Sequence, residues 1–320
     1  MRAQRIASID QFRGFAILAM VLSNYMVGVK IIPAWLKHAS DIGLTVNDLI
    51  APLFIFAIGL TYGLSFRKRE QQDGVLRTYL HFFTRFLAIV GLGALISAAG
   101  TASGRVPDTV EWGVLQAIGV AGLVTLIFIR LPAAWRWVVG LGLLAVYQAI
   151  LDRFWLDYVT SAPHGGFIGS LSWAAMLILS TALADLFFQE GRGRKLFPWV
   201  SLLILLAGIG LAFISPVSKH RVSSSYTLIS LGSSALVFFV FDWLSEKMHW
   251  KGRFFVVWGK NPLILYFLHY IFIGLFYLPG IPFLYADAPM WLALLEIAAL
   301  IGGISWVAYW LDRRGIVISL

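Results

Sequence analysis

Cysteine is absent from all 320 residues. That excludes disulfides, thiolate metal sites and cysteine nucleophiles, and it leaves the redox compartment undecided. Charge is scarce too. Only 13% of the residues are Asp, Glu, Lys or Arg, against about 25% in a typical soluble domain, so a water-solvated globule is the wrong starting picture. No Walker loop, G-x-S-x-G elbow or H-E-x-x-H zinc site occurs, and the familiar soluble-enzyme signatures do not apply. No internal repeat is visible either, so the inverted-repeat mark of many transporters is missing.

What is present is apolar and aromatic. Hydrophobic residues make up 59% of the chain and aromatic ones 15%, with 13 Trp and a mean hydropathy of +0.82. Runs of about 20 apolar residues, enough to cross a bilayer, recur over 11–32, 47–66, 79–99, 110–129, 134–151, 169–188, 197–215, 224–244, 254–276 and 290–311. The pattern predicts an all-α fold: one polytopic transmembrane bundle of about ten helices occupying residues 1–320 as a single domain. The first run is too long for a signal-peptide core and is expected to be a retained helix. No soluble domain is expected before, within or after the bundle.

The net charge of +9 would suggest nucleic acid in a soluble chain. Here the cations sit between apolar runs, so they read as topology signals and no nucleic-acid partner is expected. Sixteen Lys and Arg, among them Arg67, Lys68, Arg69, Arg77, Arg130 and Arg136, fall in one set of connections. The other set holds six: Lys30, Lys37, Arg105, Arg153, Lys219 and Arg221. The bias places both termini in the cytoplasm, and the connections 33–46, 152–168 and 277–289 outside.

Ionisable groups inside spans are costly and point to function. Asp10 and Arg13 share a helix face at i, i+3, where a structural ion pair competes with a functional role. Asn24 lies about three turns further along, as interhelical glue or as a ligand. Asp48 follows Thr45 and Asn47, where an N-cap is the alternative. Arg85 is two turns into the third run, too deep to snorkel easily. Asp185 and Asp242 lie near the basic boundary, where loop cations can pair with them, and Glu296 has no evident partner. His38 stands in the polar run Lys37-His38-Ala39-Ser40-Asp41, and His269 falls well inside the ninth run. The other histidines read as solvated or interfacial. Gly91-Leu92-Gly93 and Gly302-Gly303 read as packing patches.

In order along the chain, these residues form a pattern. Arg5-Ile6-Ala7-Ser8-Ile9-Asp10-Gln11-Phe12-Arg13-Gly14, then Met20 and Asn24-Tyr25, resembles the opening of the heparan-α-glucosaminide N-acetyltransferase family. Lys37-His38-Ala39-Ser40 and Gly43-Leu44-Thr45-Val46-Asn47-Asp48-Leu49, followed by Pro52, Phe54, Phe56 and Gly59, match more specifically. Ser225-Tyr226-Thr227, Gly259-Lys260-Asn261-Pro262-Leu263-Ile264-Leu265-Tyr266 and His269 resemble the last signature. One block departs: the family's R-I-P-G-V-L-Q-R stands here as Val110-Glu111-Trp112-Gly113-Val114-Leu115-Gln116-Ala117, with both arginines gone.

The resemblance implies a bacterial-type homologue without the large luminal domain of the animal enzyme, in the inner (cytoplasmic) membrane with His38 on the periplasmic side. It implies an acyltransferase that carries acetyl from cytosolic acetyl-CoA to an extracytoplasmic acceptor, such as the amine of a glucosamine-type sugar. His38 would be general base or transient acetyl carrier, with Asp48 and Asn24 beside it. Arg13, Arg85, Asn261 and His269 would line the acetyl-CoA site. The expected partners are acetyl-CoA, an amino-sugar or glycan acceptor and the lipid bilayer. No metal is expected, and a homo-oligomer is left open. Two alternatives stand beside this reading: an O-acetyltransferase of an envelope glycan, and a proton-coupled transporter using the intramembrane Asp and His residues.

Overall fold

The computed structural model describes residues 6–102, 111–189 and 191–318. The expectations attached to Arg5, Arg105 and Val110 lie outside them. The described residues are helical: α1 (Ala7–Met26), α2 (Ile50–Asp73), α3 (Val75–Ala102), α4 (Val114–Phe128), α5 (Ala133–Ile150), α6 (Leu156–Thr160), α7 (Gly166–Phe188), α8 (Arg192–Leu211), α9 (Ser224–Lys247), α10 (Arg253–Lys260), α11 (Pro262–Tyr277) and α12 (Met290–Arg313). Among them, seven helical segments are long and apolar enough to cross a membrane, or eight if the bent pair α10–α11 is one span. The other two expected spans correspond to α1, which carries Asp10, Gln11, Arg13 and Asn24, and to α4. At 15 residues, α4 rises only about 22 Å, short of a hydrocarbon core of about 30 Å.

Three expectations change. The ninth run, 254–276, is not one rod but two helices bent by 90°. Asn261 sits at the break with φ −129° and ψ 52°, and Pro262 is the cause: its ring disfavours helical geometry in the residue before it and supplies no N–H. The connection expected around Arg67–Arg77 shrinks to Gly74. Helix α2 runs on to Asp73 and α3 begins at Val75, with Gly74 at φ +80°, a conformation that glycine adopts without strain. The connection 152–168 is largely helical, passing through a π turn at Leu151–Trp155 into α6.

Contacts group the chain into two compact units. The first comprises Met1–His38, Thr45–Ala57 and Val237–Leu320. Its core is aromatic: Phe12 meets Phe56, Phe238 and Phe241 edge-on, with ring centroids 5.6 to 6.1 Å apart. Helix α1 packs against α10 at backbone contact. A Cβ on Gly14 would lie 1.9 Å from the Phe255 carbonyl oxygen, and one on Gly259 would lie 1.9 Å from that of Asp10. Only glycine permits this approach.

The second unit comprises Ala39–Leu44 and Ile58–Leu236. Helix α7 is its axis, and its stretch Trp173–Leu179 is fully buried. Helices α4, α5 and α8 pack on α7, and α3 packs on α4. Tyr62 stacks on Phe82 at 5.1 Å and donates its hydroxyl hydrogen to the Gly122 carbonyl at 3.1 Å. Asp185 accepts from Arg67 at 2.9 Å and from Arg136. Arg136 was counted among the topology-setting cations, yet its side chain is buried at 2% exposure, so it is a structural ion-pair partner.

Candidate functional site

The first unit gathers most of the residues singled out from sequence. His38 lies past the end of α1, after the 3₁₀ turn Ala34–Leu36. Its Nδ1 is 2.9 Å from Asp48 Oδ1. A carboxylate can only accept, so Nδ1 carries the ring hydrogen and Nε2 is the lone-pair nitrogen. His38 is about a third exposed, with its side chain at 34%, and Asp48 is fully buried at 0%.

Asp48 is held in turn from the opposite side. Thr45 is extended (φ −112°, ψ 168°) at the start of the turn Val46–Leu49, which leads into α2. The Thr45 backbone N–H donates to Asp48 Oδ2 at 3.0 Å. Its hydroxyl hydrogen is shared between that oxygen at 2.9 Å and the Lys37 carbonyl at 2.7 Å. Asp48 is thus not the N-cap, which is Thr45, but the third residue of its capping box: one oxygen accepts from Thr45 and the other from the imidazole. The Thr45–Lys37 bond also closes the base of the loop, next to His38.

A second polar pair joins α1 to α11. Asn24 Nδ2 lies 2.9 Å from His269 Nε2, and His269 Nδ1 contacts the Tyr266 carbonyl. The carbonyl can only accept, so His269 carries its hydrogen on Nδ1 and its Nε2 accepts from the Asn24 amide. His269 is fully buried, and the Tyr266 and Tyr270 hydroxyls meet at 3.1 Å beside it. Asn24 acts here as glue between helices, and it also positions a buried histidine.

The remaining residues stand apart in role. Arg13 pairs with Asp10 at 3.6 Å. Asn261 engages both ends of its amide with the C-terminal segment, accepting from Ile318 N–H at 2.8 Å and donating to the Ile316 carbonyl at 3.0 Å. Arg85 belongs to the second unit, where its guanidinium lies 5.9 and 6.0 Å from the Phe82 and Phe86 ring centres. Its buried Nε has no hydrogen-bond partner, and among the described residues it forms no ion pair.

Sequence reasoning left two features unassigned. Glu296 accepts a hydrogen bond from the Tyr25 hydroxyl. Gln116, in the surviving Gly113-Val114-Leu115-Gln116 core, caps α4: its Oε1 accepts from Gly113 N–H at 3.1 Å and its Nε2 donates to the Glu111 carbonyl at 3.2 Å. Of the two positions where the family has arginine, Val110 lies outside the described residues and Ala117 follows this glutamine in α4. Among the described residues, no cluster of His, Asp and Glu could hold a metal ion.

Outside the membrane helices, Asp41 accepts from Arg221 Nε at 3.0 and 3.1 Å and from the Ser218 hydroxyl at 2.8 Å. The Arg221 hydrogen bonds hold its carboxyl below the usual carboxylate range, against a smaller opposing effect of burial.

A sequence model described as "Heparan-alpha-glucosaminide N-acetyltransferase, catalytic" matches residues 5–271. The human protein named heparan-alpha-glucosaminide N-acetyltransferase is 34% identical over 124 residues, covering 36% of this chain and 18% of its own. The mouse protein of the same name is 32% identical over 126 residues, covering 37% and 18%. The matched stretch is thus under a fifth of the length of either relative.

Proposed function

The chain belongs to the heparan-alpha-glucosaminide N-acetyltransferase catalytic family, and on that premise we propose that it moves an acetyl group from acetyl-CoA to the amine of a glucosamine-type sugar, with His38 as the base. The observation that carries this reading is the His38–Asp48 pair. A buried carboxylate fixes one tautomer, and the lone pair it leaves on Nε2 belongs to a partly exposed ring.

In the proposed reaction the acceptor enters as a neutral amine. Its nitrogen attacks the thioester carbonyl carbon, and His38 Nε2 takes the proton as the C–N bond forms. Asp48 stabilises the resulting imidazolium, much as a buried carboxylate does in other imidazole bases. The C–S bond then breaks, and the imidazolium returns its proton to the thiolate, giving an amide and free coenzyme A. Asn24 and His269, which belong to the same unit as His38, line the same site in this proposal. The excess of basic residues in one set of connections supports His38 lying on the extracytoplasmic side.

The test uses the absence of cysteine. With no protein thiol present, a thiol-reactive dye reads only released coenzyme A. Protein in liposomes given acetyl-CoA and glucosamine should release thiol and form N-acetylglucosamine. His38→Ala should lose about 10²–10⁴ of that rate with its unfolding midpoint retained. A folded His38→Ala protein that transfers acetyl near the normal rate overturns the assignment. Acetylation of hydroxyl-only sugars in place of amino sugars would move the acceptor to the O-linked class.

A further inference from the structure

Helix α12 lies wholly beyond the residues that match the family, yet it places a carboxyl group inside the first unit. Glu296 is 4% exposed and Tyr25 is fully buried. A carboxyl inside a membrane helix is expensive, and a neutral phenol is a poor counter-charge. Among the described residues no cation pairs with Glu296, so its cost is not offset by an ion pair.

The surroundings show what the contact does. Tyr25 directly follows Asn24, and neighbouring residues on a helix point about 100° apart. Asn24 faces α11 through His269, while Tyr25 faces α12 through Glu296. The last turn of α1 is thereby held from two directions. The Tyr285 hydroxyl adds a bond to the Tyr25 carbonyl at 3.2 Å, and the Tyr285 and Phe276 rings meet that of Tyr25 edge-on at 5.6 and 6.3 Å. A Cβ on Gly28 would lie 2.3 Å from the Tyr285 hydroxyl. Lys30 closes the bracket, its N–H donating to the Ala286 carbonyl at 2.9 Å and its ammonium pairing with Asp287 at 2.7 Å. Within this bracket the Tyr25 hydroxyl ties the helix end to α12, through Glu296 and, more weakly, through the Ala293 carbonyl at 3.4 Å.

We infer that Glu296 is a positioning residue: through Tyr25 it sets the rotation of the end of α1 and so presents the Asn24 amide to His269. The inference rests on the reading of that region as part of the acetyl-transfer site. A hydrogen-bond acceptor is what the position needs, and the charge itself is dispensable.

Four variants test it, each assayed in liposomes for thiol release and labelled at histidine with nitrogen-15 to read the His269 tautomer. Glu296→Gln still accepts from Tyr25 and should keep wild-type kcat and the Nδ1–H tautomer. Glu296→Leu and Tyr25→Phe should each lower kcat by about tenfold to a hundredfold, the scale of a small misplacement, with KM for acetyl-CoA little changed and a mixed His269 tautomer. His38→Ala is the control for the site reading. Normal transfer and an unchanged His269 signal in Glu296→Leu and Tyr25→Phe, with His38→Ala inactive, overturn the inference alone. Loss of transfer in Glu296→Gln equal to that in Glu296→Leu also overturns it, since charge and not acceptance would then be required. Normal transfer in His38→Ala removes the site reading on which it rests.

Discussion

Replacing Asp48 by Asn keeps the shape of the side chain and changes only what its atoms can do. The donors that converge on this carboxylate include His38 Nδ1 at 2.9 Å, Thr45 N–H at 3.0 Å and the Thr45 hydroxyl at 2.9 Å. An amide can accept at one end only, so its NH2 must face either the imidazole or Thr45. If it faces the imidazole, Nδ1 has to become the acceptor and the ring hydrogen moves to Nε2. The base is then gone, and transfer falls by about 10²–10⁴, which is about 2.7–5.4 kcal/mol of barrier. If it faces Thr45, the histidine tautomer survives but a buried N–H loses its partner, at a cost of about 1–3 kcal/mol. That outcome leaves transfer near normal and lowers the unfolding midpoint. Thiol release and a thermal melt on the same liposome preparation separate the two. A variant with both the wild-type rate and the wild-type midpoint would refute the claim that Asp48 orients His38.

Gly259→Ala should destabilise the protein strongly, because the new Cβ meets the Asp10 carbonyl oxygen at 1.9 Å. Overpacking typically costs about 1–3 kcal/mol, and here the obstruction is backbone that cannot rotate away, so a lowered melting temperature in detergent is expected. The Asp41–Arg221 pair predicts an acid-sensitive contribution to stability. Asp41 has a folded-state value below its unfolded one, so its contribution is fully present above the unfolded value of about 4. It is lost as pH falls through the lowered folded value. The melting temperatures of wild type and Arg221→Gln should therefore differ near neutral pH and converge in acid; a difference that is unchanged across that range would contradict the pairing.

Much of the helical plan was legible because long apolar runs have few alternatives. Seven of the expected spans reappear as helices of membrane length, since hydropathy over about 20 residues reports a property that local detail hardly alters. The ninth shows where that averaging fails. Its window is apolar on both sides of Asn261-Pro262, so the mean hydropathy passes over a break that only the proline announces.

At the site, His38 and Asp48 could be connected because they are ten residues apart and share one loop. Glu296 could not be joined to Tyr25, 271 residues away, since no local pattern records which helices become neighbours. The partner of Arg136 was hidden for a related reason: a cation beside an apolar run looks the same in sequence whether it meets solvent or Asp185.

The contacts of Gly14 with Phe255 and of Gly259 with Asp10 set a timetable for synthesis. Their two halves are separated by about three-quarters of the chain, and at about 5–20 residues per second the ribosome needs roughly 12–50 seconds to supply the second after the first. Throughout that interval α1 must wait in the membrane with the Gln11 amide, whose acceptor is the Trp250 carbonyl, and the backbone opposite Gly259 uncovered, while the Ile58–Leu236 stretch can assemble from contiguous chain. A transcript cut short anywhere before α10 would strand those polar groups in lipid. Such products would be cleared by membrane proteolysis, so early stop codons should yield no partial enzyme at all.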